Sequence, residues 1–247
     1  MTQANPQFHC ASWNIHRGRG NDGVVDPARI ASVLQHDVCH TPLDALVLQE
    51  ADEDPHPHRG FLDLARVEAA TGLRHLHTDA ATRWGPESHG FLGIIFFAQP
   101  QWRVENITLL DLPGHCHRGA VIVDMARDGM ALRLIGTHLS LSQALRVVQM
   151  RTLGQHLHRR APRQTVLCGD LNEWRPWGGL ALSRGVTGLA FAGPTPATFP
   201  IKRPFLPLDR ILVTAPAKII RTRVLDSPAI RMASDHRPIR AEIALER

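Results

Sequence analysis

Polar groups able to do chemistry recur in this sequence at the ends of apolar runs. Trp13-Asn14 ends one run and Leu48-Gln49-Glu50 ends the next. Gly136-Thr137-His138-Leu139 and Gly169-Asp170-Leu171-Asn172 close two more. Leu208-Asp209-Arg210 opens another, and Ser234-Asp235-His236-Arg237-Pro238 precedes the last. Sheets deliver the side chains at strand ends to a shared edge, where a carboxylate is costly to bury unless it is paired or holds a metal. For Asp170 or Asn172 alone, an Asx turn capping a strand end is a sufficient account. It explains one such residue well and the whole set poorly. No Ser or Cys motif for a covalent nucleophile accompanies these groups.

The elements that would position them follow from the apolar pattern. Strands are expected at Cys10–His16, Ala45–Gln49, Phe91–Ala98, Val104–Leu110, Ala120–Ala126, Ala131–Thr137, Thr165–Gly169, Arg210–Thr214, Ile219–Leu225 and Ile239–Leu245. Several are continuous apolar runs, as for strands buried on both faces. Asp26-Pro27 reads as a helix N-cap and first turn, with Ile30, Val33 and Leu34 on one face. A second helix is expected over Gly60–Ala70. A third starts near Ser140, with Leu141, Ala144, Leu145 and Val148 inward, and a short one follows Trp174. Strands outnumber helices without strict βαβ alternation, which favours two packed mixed sheets over a Rossmann-type sheet.

The chain has 247 residues, 43% hydrophobic and 21% charged, an ordinary balance for a globular protein. With no repeat and no linker-like tract, residues 1–247 read as a single domain. Cys10, Cys39, Cys116 and Cys168 are scattered without a C-x-x-C pair, which favours reduced thiols in the cytoplasm. No signal peptide is visible, and no apolar run approaches the roughly 20 residues needed to span a bilayer. Charge is uneven. Residues 1–100 hold 7 Lys+Arg against 12 Asp+Glu, residues 101–200 hold 11 against 6, and residues 201–247 hold 10 against 5. A basic C-terminal half suits an anionic substrate, and equally a plain solvated surface. His56 and His58 sit in a proline-interrupted run beside Asp52, Glu53 and Asp54, which reads as a loop and not as a metal cluster.

Taken in order, Trp-Asn, Leu-Gln-Glu, Thr-His-Leu, Gly-Asp-Leu-Asn, Asp-Arg-Ile-Leu and Ser-Asp-His-Arg-Pro resemble the endonuclease/exonuclease/phosphatase (deoxyribonuclease I-like) superfamily, from Trp13 to Pro238. The resemblance implies a four-layer α/β sandwich, two packed mixed β-sheets flanked by helices, with the site at one end. It implies a metal-dependent phosphoric ester hydrolase using Mg2+, with Mn2+ as a substitute. Glu50 would be the direct metal ligand, with Asn14 and Asp235 completing or bordering the shell. His236, oriented by Asp209, would sit beside the scissile phosphate. Asp170 would orient or deprotonate water or protonate the leaving oxygen, and Asn172 would bond a phosphate oxygen. His138 would donate a proton or contact phosphate. Arg118, His16 and Arg17 are candidate substrate contacts, the last two in the run Asn14-Ile15-His16-Arg17-Gly18.

The chain has no tyrosine and reads Leu-Gln-Glu-Ala-Asp, departures from the abasic-site nuclease branch. The segment Thr198-Phe199-Pro200 leading to Asp209 looks more like the phosphatase and sphingomyelinase side. The expected partner is therefore a phosphodiester or phosphomonoester of a small molecule or lipid headgroup. The expected protein is a monomer with peripheral membrane contact left open. Nucleic acid is the alternative partner, and a non-catalytic scaffold retaining the fold is the alternative of another class.

Overall fold

The computed structural model describes residues 6–114, 118–175 and 179–246. Two sheets form its centre. The first has the strands β1 (Gln7–Asn14), β2 (Ala45–Gln49), β3 (Arg74–His75), β4 (Ile95–Ala98), β10 (Lys218–Val224) and β11 (Ile239–Ala244), in the order β10-β11-β1-β2-β4-β3. The second has β5 (Arg103–Leu112), β6 (Arg118–Arg127), β7 (Met130–His138), β8 (Gln164–Asp170) and β9 (Asp209–Val213), in that order. Each sheet contains one parallel pair, β1 with β2 and β7 with β8, among antiparallel ones.

The layers follow from side-chain alternation. Phe8, Cys10, Val47 and Phe96 of the first sheet meet Val121, Val123, Leu134, Val166 and Ile211 of the second in a fully buried core. On the far side of the first sheet, Ala11, Trp13, Leu46 and Leu48 pack under α1 (Pro27–Val33) and α2 (Leu64–Thr71). On the far side of the second, Ile122, Ile135 and Leu167 pack under α3 (Gln143–His158), which α4 (Arg184–Thr187) accompanies. The molecule is the expected four-layer sandwich. A short α5 (Pro228–Ala233) joins β10 to β11.

Several boundaries differ from expectation for local reasons. β1 ends at Asn14, not His16, because His16 and Arg17 take left-handed φ values of 46° and 50°. The strand expected from Phe91 begins only at Ile95, since Phe91 and Ile94 pair across a turn with Leu92 and Gly93 at positive φ. α2 starts four residues late, at Leu64, where Asp63 accepts from the Arg66 N–H as N-cap. In α3 the expected inward face was wrong. Leu141 precedes the helix and is exposed, as are Ala144 and Val148. The buried face is Arg146, Gln149, Met150, Leu153 and Leu157. The short helix expected to follow Trp174 falls on residues 176–178, which lie outside the described ones, and the next helix, α4, begins at Arg184. Two elements were not expected at all, the two-residue β3 and α5, although Ser227-Pro228 repeats the cap-and-proline signal of Asp26-Pro27.

Cys10, Cys39 and Cys168 are free thiols. Burial pushes Cys10 well up and Cys39 and Cys168 to about 12. Cys116 lies outside the described residues. No helix among the described residues is long and apolar enough to cross a membrane.

Candidate active site

Strand register brings the polar termini to one edge. Parallel β1 and β2 end together, with Asn14 opposite Gln49, so Glu50 is the next residue out. Parallel β7 and β8 likewise end with His138 opposite Asp170, and antiparallel β9 begins with Asp209 on the other side of Asp170. β11 starts beside Ser12, which leaves Asp235 and His236 on its incoming loop. That loop is fixed from three sides. The Ser234 hydroxyl donates to the Asn14 carbonyl at 2.8 Å, the His236 N–H to Ser234 Oγ at 3.2 Å, and the Trp13 indole to the His236 carbonyl at 3.0 Å.

Asp170 is the hub. Its Oδ2 lies 3.1 Å from Asn14 Nδ2, 3.3 Å from His138 Nε2 and 3.7 Å from His236 Nε2. Its Oδ1 accepts the Asn172 N–H at 3.0 Å, an Asx turn that holds Asn172 at a φ of 49°. The turn is therefore part of the site and not an alternative to it. The Asn172 amide donates to the Leu139 carbonyl at 2.9 Å, which ties the loop after β8 to the loop after β7. Burial raises the Asp170 pKa, and the neighbouring Asp209 charge adds to the rise.

Behind His236, Asp209 Oδ2 accepts from Nδ1 at 2.8 Å and from the Thr198 hydroxyl at 2.6 Å, while the Phe199 ring packs 4.8 Å from the imidazole. Burial opposes a charge on His236, but the Asp209 carboxylate, then Asp170 and Asp235, outweigh it and raise its pKa. His138 is driven the other way. It is buried, Arg118 NH1 lies 3.2 Å from its Nδ1, and its pKa falls well below the usual range. It is thus a neutral imidazole with its Nε2 proton facing Asp170. Ligand-type atoms of Asp170, Asp209 and His236 fall within 4.8 Å of one another, a spacing that could hold an ion. Within this group His236 Nδ1 is already bonded to Asp209 Oδ2 at 2.8 Å.

Glu50 is held at a φ of 54° with its carboxylate turned to the edge. Oε1 accepts from Asn14 at 3.3 Å and Oε2 from Arg17 at 2.6 Å, and Arg17 also pairs with Asp54 at 2.7 Å. Asn14 borders this carboxylate through its N–H, while its own oxygen accepts the His16 N–H. Asp235 stands apart, 3.7 Å from His16 and 36% exposed. The structure thus brings together Asn14, Glu50, Asp170, Asn172, Asp209, His138, His236, Arg17 and Arg118 through direct contacts. His16 joins this set through its N–H on Asn14, and Asp235 borders it 3.7 Å from the His16 ring. The Glu50 and Asp235 carboxylates are partly exposed, hard oxygen donors of the type that divalent cations take, with Glu50 engaged by Asn14 and Arg17.

A cavity of ≈ 240 Å³ opens beside Glu50, lined by Arg17, Arg118 and His138 together with Asp52, Glu53, Asp54 and His58. Four contributors had no assigned role in the sequence reading. Thr198 and Phe199 secure Asp209 and His236, and only their Thr-Phe-Pro motif hinted at it. Asp52 accepts the His89 and Gly90 N–H groups and clamps the cavity wall, and His58 lines that wall.

The sequence profile of the Endonuclease/Exonuclease/phosphatase family matches residues 11–236, and the chain belongs to that family. Membership places it among phosphoester hydrolases and nucleases, a family generally dependent on divalent metal. It is 34% identical over 259 aligned positions to the protein YbhP of Escherichia coli K12, covering 96% of each chain. Among solved structures it resembles a conserved protein of Enterococcus faecalis (TM-score 0.72, 19% identity, 97% of this chain and 100% of that one). It also resembles a mannosyl-6-phosphatase of Bacteroides thetaiotaomicron (TM-score 0.69, 16% identity, 96% and 99%). Truncated TDP2 of Caenorhabditis elegans has the same fold (TM-score 0.67, 18% identity, 96% and 97%).

Proposed function

We propose that the whole chain is one catalytic domain, monomeric and cytoplasmic, that hydrolyses a phosphodiester or phosphomonoester by direct attack of water. Its substrate is a small molecule or lipid headgroup. The observation that carries the reading is the unbroken series Thr198–Asp209–His236–Asp170–Asn14–Glu50, which sets a proton relay beside a hard-oxygen cation site. Glu50, with Asn14 and Asp235 at the border, would hold Mg2+ or Mn2+. Bound there, the ion polarises a phosphoryl oxygen and stabilises charge on the leaving oxygen.

The chain's own groups do the rest. Asp170 orients water and takes its proton, a role suited to a carboxyl whose pKa burial has raised. His236 is held by Asp209 with Nε2 facing inward, where its proton stabilises the phosphoryl oxygens of the transition state. His138, kept neutral, aligns Asp170 from the opposite side. Asn172 has a second amide N–H to offer a phosphate oxygen, and Arg118, Arg17 and His16 supply positive or hydrogen-bonding contacts at the mouth. The water oxygen forms the new P–O bond as its proton passes to Asp170, the ester P–O bond breaks, and the leaving oxygen takes up a proton from solvent water, which Asp170 restores by releasing its own. No covalent enzyme intermediate is required.

Glu50→Ala and His236→Ala are expected to lower turnover of bis-p-nitrophenyl phosphate by about a thousandfold while leaving the circular dichroism spectrum unchanged. Near-wild-type rates in either purified variant overturn the site. One observation favours nuclease action instead, the excess of arginine in the C-terminal half. Nicking of supercoiled plasmid in Mg2+ but not EDTA, with duplex binding that weakens steeply with salt, would select that reading.

A further inference from the structure

Among the described residues nine large hydrophobic side chains are substantially exposed, from 46% to 78%, and their placement is uneven. Val148 lies on α3, Ile220 on β10 and Met232 on the short α5. The other six sit on connections that enter or leave strands at the site-bearing edge. Scattered single hydrophobes are normal on any surface, but a concentration at the functional end is not.

These connections are tied into one arc. Gln143 Oε1 accepts from Arg175, which joins the Leu141 turn to the Trp174 loop. Arg210 donates to the carbonyls of Glu173, Arg175 and Pro207 and so joins that loop to the turn bearing Phe205. Arg237 donates to the Ile201 and Thr198 carbonyls, carrying the arc on to the α5 connection. There Asn21 and Arg29 donate to the carbonyls of Arg231 and Met232, which brings in the loop with Val24 and Val25. The arc runs along the site-bearing edge, and the polar cavity at the same edge is lined by other segments, Asp52–Asp54 and His58 among them.

Cations accompany the apolar groups. Lys202 and Arg203 are exposed beside Phe205, and no carboxylate of a described residue lies within ion-pair distance of either. The Arg175 guanidinium lies 5.0 Å over the Trp174 ring. Tryptophan and arginine together favour the headgroup level of a bilayer, with aliphatic groups entering the acyl boundary. A nucleic-acid strand would instead ask for a run of aromatic stacking faces, whereas Val24, Val25, Leu141 and Met232 are aliphatic.

We propose that this end of the molecule docks on an anionic lipid bilayer, with Trp174, Phe205 and Leu141 on one flank and Val24, Val25 and Met232 on the other. Lys202 and Arg203 contact the lipid phosphates, and the cavity faces the headgroup layer. The surface stands on its own, but its use to present a lipid phosphoester to Asp170 rests on the phosphoesterase reading.

The test is sedimentation of the full chain with vesicles of phosphatidylcholine mixed with phosphatidylglycerol, at low and high salt. Wild type is expected to bind, more weakly at high salt. Trp174→Ser combined with Phe205→Ser is expected to cut binding about tenfold or more, given the apolar area removed. Lys202→Glu with Arg203→Glu is expected to abolish the preference over pure phosphatidylcholine. Both variants keep wild-type hydrolysis of soluble bis-p-nitrophenyl phosphate, which shows that they fold. Absence of vesicle binding by wild type overturns the proposal, as does equal binding by the double serine variant. So does loss of single-stranded oligonucleotide binding, with vesicle binding intact, in that variant. If wild type binds vesicles but hydrolyses no phosphate ester, docking stands and the phosphoesterase reading fails.

Discussion

Asp209 meets His236 through one oxygen, Oδ2, which also accepts the Thr198 hydroxyl, while Oδ1 is buried with no hydrogen-bond partner. A carboxylate so placed fixes the imidazole tautomer and offsets its charge, so its value lies in turnover more than in binding. Asp209→Asn is expected to lower kcat by about two to four orders of magnitude with KM little changed. Thr198→Ala is expected to cost on the order of tenfold, since it removes one hydrogen bond that holds the carboxylate. Steady-state kinetics with a soluble phosphodiester check both, and an unchanged kcat in Asp209→Asn would show that His236 works alone. A second histidine reports on stability. His77 is buried, donates from Nδ1 to the Thr82 carbonyl, leaves Nε2 unpartnered, and has its pKa pushed down to about 4 by burial. In the unfolded chain it takes its proton near 6.5. Its contribution is therefore intact above about pH 6.5 and is lost as pH falls toward 4, by up to about 1.4 kcal/mol per pH unit. Urea unfolding across that window is expected to show a shallower pH slope in His77→Asn; an identical slope would exclude this histidine as a source.

Elements carry the next level of precision. The sheets pack tightly where Gly136 of β7 faces Val47 and Phe96. A Cβ at Gly136 would come within 2.6 Å of both side chains. Gly136→Ala is expected to cost about 1–3 kcal/mol by overpacking, read as a lower urea midpoint at unchanged slope. Full stability would mean that the inter-sheet core relaxes freely there. The apolar runs made the strands readable because a strand buried between a helix layer and a second sheet leaves no polar face to confuse the pattern. α3 was misread for the converse reason. Its buried face includes Arg146 and Gln149, which turn inward to satisfy the loop after β7. Arg146 donates to the Ser140 and Leu141 carbonyls, and Gln149 bonds the Ser140 backbone and hydroxyl. A count of apolar residues could not find a face built to hold a loop. The start of β4 was hidden because the turn before it depends on the backbone of Leu92 and Gly93, not on hydropathy. At the site, charged groups were legible as strand-end motifs, but their supports were not. Thr198 and Asp52 act through contacts 11 and 37 residues away in sequence.

At the scale of the whole molecule, the cation site and the fold are separable. Buried clusters fill the space between the sheets and under both helix layers, and none of them includes Glu50 or Asp235. Glu50 sits at the edge with both oxygens already engaged, by Asn14 and Arg17. The sandwich is therefore expected to close without metal, unlike small domains whose folding free energy is metal binding. EDTA is expected to abolish phosphoester hydrolysis while shifting Tm by less than a few degrees. Saturating Mg2+ is expected to add stability by mass action, about 2.7 kcal/mol at a hundred times Kd, or roughly 5–10 °C for a chain of this size. Glu50→Ala is expected to remove that increment, because the principal donor is gone, while its Tm in EDTA stays near that of wild type. Thermal melts of both proteins with and without Mg2+ decide the matter. Unfolding of wild type by EDTA would show a structural metal, and an equal Mg2+ increment in Glu50→Ala would move the cation away from this edge.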